Sequence, residues 1–268
     1  MKRVFIGIGA VIFTALFLLS GWMIYRQYRD GKENQTAFED VAALIKEEIT
    51  PTATTVQTEL TAATPTAPPI MTAFEKYSGV YMQNTDFVGW ISIAGTNIDY
   101  PVMQTADDPD YYLKHSFEKE YSSYGVPYVQ SNCDLATADN VVIYGHHMKD
   151  GSMFADLCKY TDPSFYRAHP VIRFDALSGY GEYEIVAVFK TTATVSGFPY
   201  QRFVTAEDSA AFDAYIAECK ALSLYEIKVT ATYGDRLITL STCEYSRTNG
   251  RMVIVAKQIS GQGGDADA

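Results

Sequence analysis

The hydropathy pattern begins with an uncharged run over positions 4–25, VFIGIGAVIFTALFLLSGWMIY. At about 1.5 Å per residue, a helix of that length matches a hydrocarbon core about 30 Å thick, so the run predicts a membrane-spanning anchor. Lys2 and Arg3 precede it, and Trp22 and Tyr25 sit where interfacial aromatic residues belong. A cleavable signal peptide would carry a shorter apolar region, about 7–15 residues, ending in a small-x-small site. Here the run is long and Trp22 follows Gly21 directly, which favours an uncleaved anchor. Arg26, Arg29 and Lys32 behind the run blunt the charge signal for orientation; the expected arrangement is a cytoplasmic N-terminus and an exported domain. Phe38, Val41, Ala42, Leu44 and Ile45 then recur at helical spacing within 36–48, predicting a short amphipathic helix near the membrane. The stretch 50–72 is rich in Thr, Ala and Pro, cannot bury a core, and reads as a stalk.

From residue 73 the pattern changes to short apolar runs between turn residues. It predicts strands over 88–93, 98–103, 126–130, 140–144, 171–174, 183–190, 226–231, 236–242 and 251–257. Helical spacing recurs over 73–82, 153–160 and 206–222, the last opening on Thr205-Ala-Glu-Asp as a capping-box-like start. Many short strands with few helices predict a mainly β protein, a barrel or sandwich of chiefly antiparallel strands. The expected organisation is an anchor over 1–25, a helix and stalk over 26–72, one folded domain over 73–260, and a disordered tail over 261–268.

Composition narrows the chemistry. Hydrophobic residues make up 47% and charged residues 20%, so the chain can bury a core. Lys+Arg is 21 against Asp+Glu 32, a net charge of -11, which argues against nucleic acid as a partner. The four cysteines, Cys133, Cys158, Cys219 and Cys243, are too few and too scattered for a disulfide scaffold. Neither metal-ligand spacing nor a phosphate loop is present, so no cofactor is expected.

One cysteine stands apart by position. Cys243 ends the strand-like run RLITLST, just before a loop, where a nucleophile would be rigidly held and accessible. A thiol needs an imidazole neighbour to become a useful thiolate, and VVIYGHHM places His146 at another strand's end. Arg251 begins the next strand; a short antiparallel connection would return it beside Cys243 as an oxyanion donor. Each residue alone has a plainer reading: a buried thiol, a loop histidine, a solvated edge charge.

TLSTC (239–243) followed by Arg251 in GRMVIVAK, with IYGHHM (143–148) upstream, resembles the sortases, membrane-anchored cysteine transpeptidases of Gram-positive bacteria. VGWISIAGTNIDYPVMQ (88–104), YYLKHSF (111–117) and GSMFADL (151–157) resemble the class B branch. The resemblance implies an eight-stranded sortase-type β-barrel with added helices, including an N-terminal helix and a long helix before the penultimate strands. By the same resemblance, Cys243 matches the nucleophile, Arg251 the arginine that stabilises substrate and oxyanion, and His146, rather than His147, the family histidine. Tyr144 and Ser241 match substrate-groove positions, Thr192 (with Thr191) and Tyr200 fall in the loop before the long helix where class B relatives recognise the signal, and the backbone N–H of Glu244 would complete an oxyanion hole. Some class B members carry an Asp two residues after the cysteine; here that place is Tyr245, so a Cys-His-Arg set must suffice.

The implied reaction cleaves an LPxTG-like or NPxTx-like sorting signal through a thioacyl-enzyme and transfers the surface protein to a peptidoglycan amine. The implied partners are surface proteins bearing that signal and a lipid-linked peptidoglycan precursor. Pilin polymerisation by a class B enzyme, a tethered cysteine protease and a non-enzymatic binding domain stand as alternatives. A papain-like protease places its cysteine before its histidine, the reverse of the order here, and the SHGC signature of L,D-transpeptidases is absent.

Overall fold

The computed structural model describes residues 2–49 and 71–263. Most of the expected stalk, and positions 264–268 of the expected tail, lie outside the described residues.

Helix α1 (Lys2–Ile49) takes in both the apolar run and the amphipathic segment as one continuous 48-residue helix. The expected membrane span, and with it the single-pass membrane localisation, is corrected here. Among the described residues no helix is long and apolar enough to cross a membrane. The second half of α1 packs on the folded domain instead. Phe38, Val41 and Ile45 are buried, Phe38 meeting the Tyr100 ring edge-on at 5.2 Å. Asn34 Nδ2 donates to the Gly125 carbonyl (3.2 Å), and the Ser123 backbone N–H donates to Asp30 (2.8 Å).

Helix α2 (Ala73–Gln83) starts on a capping box: Glu75 N–H donates to Thr72 Oγ1, and Thr72 N–H donates back to the Glu75 carboxylate. Its inner residues Tyr77 and Val80 enter the core. The eight strands are β1 (Phe87–Ser92), β2 (Asp99–Met103), β3 (Tyr128–Val129), β4 (Asn140–Tyr144), β5 (Val171–Ala176), β6 (Gly179–Thr192), β7 (Leu237–Glu244) and β8 (Gly250–Gly263). They close into a barrel in the order β1-β2-β3-β4-β7-β8-β6-β5. The pairs β2/β3 and β4/β7 are parallel and the others antiparallel. Closure leaves no open sheet edge, and the apolar residues of β4, β6, β7 and β8 fill one continuous core.

Three expectations fail locally, the first two for a visible reason. The run 226–231 forms no strand: Lys220 Nζ donates to the carbonyls of Ile227 and Val229, so an ammonium satisfies acceptors that a ladder would otherwise take. Helix α4 (Ser209–Leu222) is capped by Asp208, whose carboxylate accepts from Ala211 N–H, and not by Thr205. The Thr205 segment is held elsewhere, because Ala206 N–H donates to Asp139 (2.7 Å). Helix α3 (Pro163–Ala168) was not legible as a separate helix; it follows a 3-10 turn, Ala155–Thr161, that replaces the expected helix over 153–160.

Candidate active site

Three strand ends meet at one mouth of the barrel. In the parallel pair β4/β7, Tyr144 lies opposite Ser241. The ladder continues one step, since Gly145 N–H donates to the Ser241 carbonyl (3.1 Å) and Thr242 Oγ1 donates to the Gly145 carbonyl (2.8 Å). His146 therefore leaves β4 alongside Cys243. On the other side of β7, Cys243 stands directly opposite Arg251 of β8. His146, Cys243 and Arg251 line a single cleft of about 340 Å³, together with Tyr144 and Ser241. All three of the first group are half-buried, so each is held yet reachable.

The backbone before His146 requires glycine. A Cβ at Gly145 would sit 2.6 Å from the Phe154 ring, so a side chain there would push that ring out of the core. The carbonyl of His146 accepts from Phe154 N–H (2.8 Å), closing the loop behind it. The imidazole is fixed by the Leu113 carbonyl, 2.8 Å from Nε2. A carbonyl only accepts, so Nε2 carries the proton and Nδ1 is the nitrogen left to titrate. Burial holds the His146 pKa below its ordinary value of 6.5, with Lys114 adding to the effect and the Leu113 hydrogen bond opposing it. Arg251 Nη1 donates to the Gly250 carbonyl (3.0 Å), which turns the guanidinium toward the β7–β8 loop.

The other expected substrate residues are placed differently from one another. Tyr144 is a cleft wall, its hydroxyl donating to Gln130 Oε1 (2.5 Å). Ser241 is buried and shares a 2.6 Å hydrogen bond with the Tyr200 hydroxyl, so Tyr200 supports the wall from behind and does not line the cleft. Thr192 closes β6 opposite Gly250, outside the cleft lining, with its hydroxyl on Thr194 Oγ1 (2.7 Å). The Glu244 side chain turns from the cleft to a 3.1 Å ion pair with Lys190 and accepts from Ser246. The cleft wall also includes residues not singled out from the sequence, among them Asp110, Leu113, Tyr128, Gln130 and Ser131. Tyr111 and Leu113 belong to YYLKHSF, a segment the sequence offered only as a family mark. The remaining histidines are tied off, His115 stacked on Tyr111 at 3.8 Å and His169 bonded to the Ala94 carbonyl (2.7 Å).

Among the described residues no group of three or more His, Cys, Asp or Glu side chains could hold a metal ion. The cleft's own equipment is a thiol, an imidazole and a guanidinium, a set suited to acyl transfer through a thioester.

The sortase domain family matches this chain over residues 91–259. Sortase B of Listeria monocytogenes is 35% identical over 254 residues, spanning 93% of this chain and 95% of the relative. Sortase B of Staphylococcus aureus is 30% identical over 262 residues, spanning 97% and 98%. Among solved structures, a Staphylococcus aureus sortase B–substrate complex superposes with a TM-score of 0.72 at 29% identity, covering 86% of this chain and 98% of that one.

Proposed function

The chain belongs to the sortase family, as a class B cysteine transpeptidase, and from that premise we propose how its cleft divides the reaction among Cys243, His146 and Arg251. The observation that carries the reading is the placement of Cys243 opposite Arg251 on adjacent strands, in the same cleft as His146.

The substrate is a surface protein with an LPxTG-like or NPxTx-like sorting signal. The Cys243 thiolate attacks the threonine carbonyl carbon, and Arg251, with the Glu244 backbone N–H, stabilises the oxygen as it gains charge. His146, protonated on Nδ1, gives that proton to the departing amine as the C–N bond breaks, leaving a thioacyl-enzyme. A peptidoglycan precursor then supplies an amine that attacks the thioester carbon. The C–S bond breaks, Cys243 is restored as thiolate, and His146 Nδ1 takes the surplus proton. Transfer to an amine in place of water requires the acceptor to be held beside the thioester at high effective concentration. Tyr144, Ser241 and Leu113 form the wall along which the signal peptide lies.

The test is intact-protein mass after incubation with a panel of sorting-signal peptides, beside Cys243→Ala. A hydroxylamine-labile adduct of the peptide's N-terminal fragment, absent in the variant, is the expected result, and the reactive peptide names the motif. No adduct with any peptide, while Cys243 still alkylates, would reject the substrate assignment. A Cys243 that resists iodoacetamide would reject the nucleophile.

A further inference from the structure

Behind Cys243, on the side of β7 away from β8, lies a second group of side chains that the reaction above does not use. The β4/β7 ladder stops at Gly145, so beyond it no strand accompanies β7 on that side. The Cys243 carbonyl points there, and an unpaired buried carbonyl is costly. Two side chains fill the gap. His147 Nδ1 lies 3.0 Å from the Cys243 oxygen, and Cys158 Sγ, from the 3-10 turn, lies 3.8 Å from the same oxygen and 3.3 Å from that nitrogen. Because the carbonyl can only accept, His147 carries its proton on Nδ1, the opposite tautomer to its neighbour His146.

The His147 ring is itself fixed from three directions. Its backbone bridges Met153, its carbonyl accepts from the Tyr245 hydroxyl (3.1 Å), and its ring packs on the Tyr245 ring at 5.0 Å. Tyr245 occupies the place where some relatives carry Asp, and here it serves His147 rather than His146.

We infer that His147, with Cys158 as second donor, is a positioning residue that clamps the Cys243 peptide from behind in place of a missing strand. The Cys243 carbonyl and the Glu244 N–H belong to one planar trans peptide unit, so fixing the carbonyl fixes the direction of that N–H. The clamp thereby sets both the strand end that presents the thiol and the backbone donor assigned to the oxyanion. Cys158 suits the part: burial, reinforced by Glu244 and opposed by Lys190, pushes its thiol up to about 11, so it stays an S–H donor at neutral pH.

The kinetic arm of the test rests on the transpeptidase reading above; the spectroscopic arm does not. With the full chain and the reactive peptide, His147→Ala is expected to lower kcat on the order of 10- to 100-fold, since a small misplacement of reacting groups costs that much. KM and the pH profile should stay as in wild type. His147→Asn, whose side-chain N–H stands where Nδ1–H stood, should recover most of the loss. Wild-type kcat in His147→Ala overturns the clamp. Equal losses in Ala and Asn with a shifted pH profile overturn it too, because the ring would then be carrying protons. Nitrogen-15 spectra of the imidazoles in the wild-type chain should show His147 as the Nδ1–H tautomer at neutral pH; an Nε2–H tautomer overturns the clamp even if His147→Ala does not fold. If the wild type transfers no peptide while His147 shows Nδ1–H, the transpeptidase reading fails and the clamp stands.

Discussion

Two cysteines lie on either side of the end of β7, each with a histidine close by, and they are opposite in character. Cys243 lines an open cleft and stands opposite Arg251 across the strand pair. Cys158 sits behind the strand, 3.3 Å from His147, where burial and then the Glu244 carboxylate favour the neutral thiol. By proximity to imidazole alone, Cys158 would have been the better candidate nucleophile. The difference teaches that a neighbouring histidine does not make a thiolate: burial beside a carboxylate keeps Cys158 protonated although an imidazole nitrogen lies 3.3 Å away.

The contrast can be broken most forcefully at the thiols. Cys243→Ala should abolish thioacyl formation, a loss of at least about 10³-fold measured by peptide transfer, because Cys243 is the thiol that lines the cleft. Cys158→Ala should still form the adduct; an adduct located by peptide mapping on Cys158 in the wild type would invert the comparison. Next in size, Arg251→Ala should cost about 10²–10³-fold in kcat, as loss of an oxyanion donor does. A drop confined to KM would instead make Arg251 a binding group only.

The pH behaviour sharpens the picture. Followed by NMR, the His146 ring should titrate below 6.5, and Lys114→Gln should move the midpoint upward by removing a nearby positive charge. The sign for stability follows. The unfolded chain binds the His146 proton first, so this group's contribution is lost as pH falls from about 6.5 toward the folded midpoint. A midpoint above 6.5 would contradict the buried placement. In a Cys243→Ala background, Cys158 should alkylate slowly at neutral pH and accelerate toward about pH 11, with Glu244→Gln shifting the rise to lower pH. The smallest expected effect is Gly145→Ala, destabilising by about 1–3 kcal/mol in denaturant titration as its methyl crowds Phe154.

The β-rich pattern placed β1, β2, β4, β5, β6 and β7 within a few residues, because alternation and β-branched runs report a pleated, half-buried surface directly. Strand β8 instead runs past the expected end at 257 to Gly263, so 261–263 of the expected disordered tail pair with 179–181. Where carbonyls were satisfied by a distant side chain, the pattern misled. The run 226–231 looks like a strand, but its acceptors belong to Lys220. The apolar N-terminal run misled in another way. Its hydropathy predicted a span, whereas α1 carries it into a charged segment whose far face packs on Tyr100 and Gly125.

The sequence by itself determined the chemical inventory: one cysteine ending a strand, a histidine pair after a strand and glycine, an arginine opening the next strand, and a strand-rich domain to hold them. It determined too which family the chain resembles. Only the tertiary structure decided which ring nitrogen of each histidine carries the proton. His146 takes its tautomer from Leu113, 33 residues away, and His147 takes the opposite one from the carbonyl of Cys243, 96 residues away. Adjacent imidazoles have the same intrinsic chemistry, so local sequence cannot assign their tautomers. Acceptors from distant strands do, by fixing which nitrogen keeps its proton.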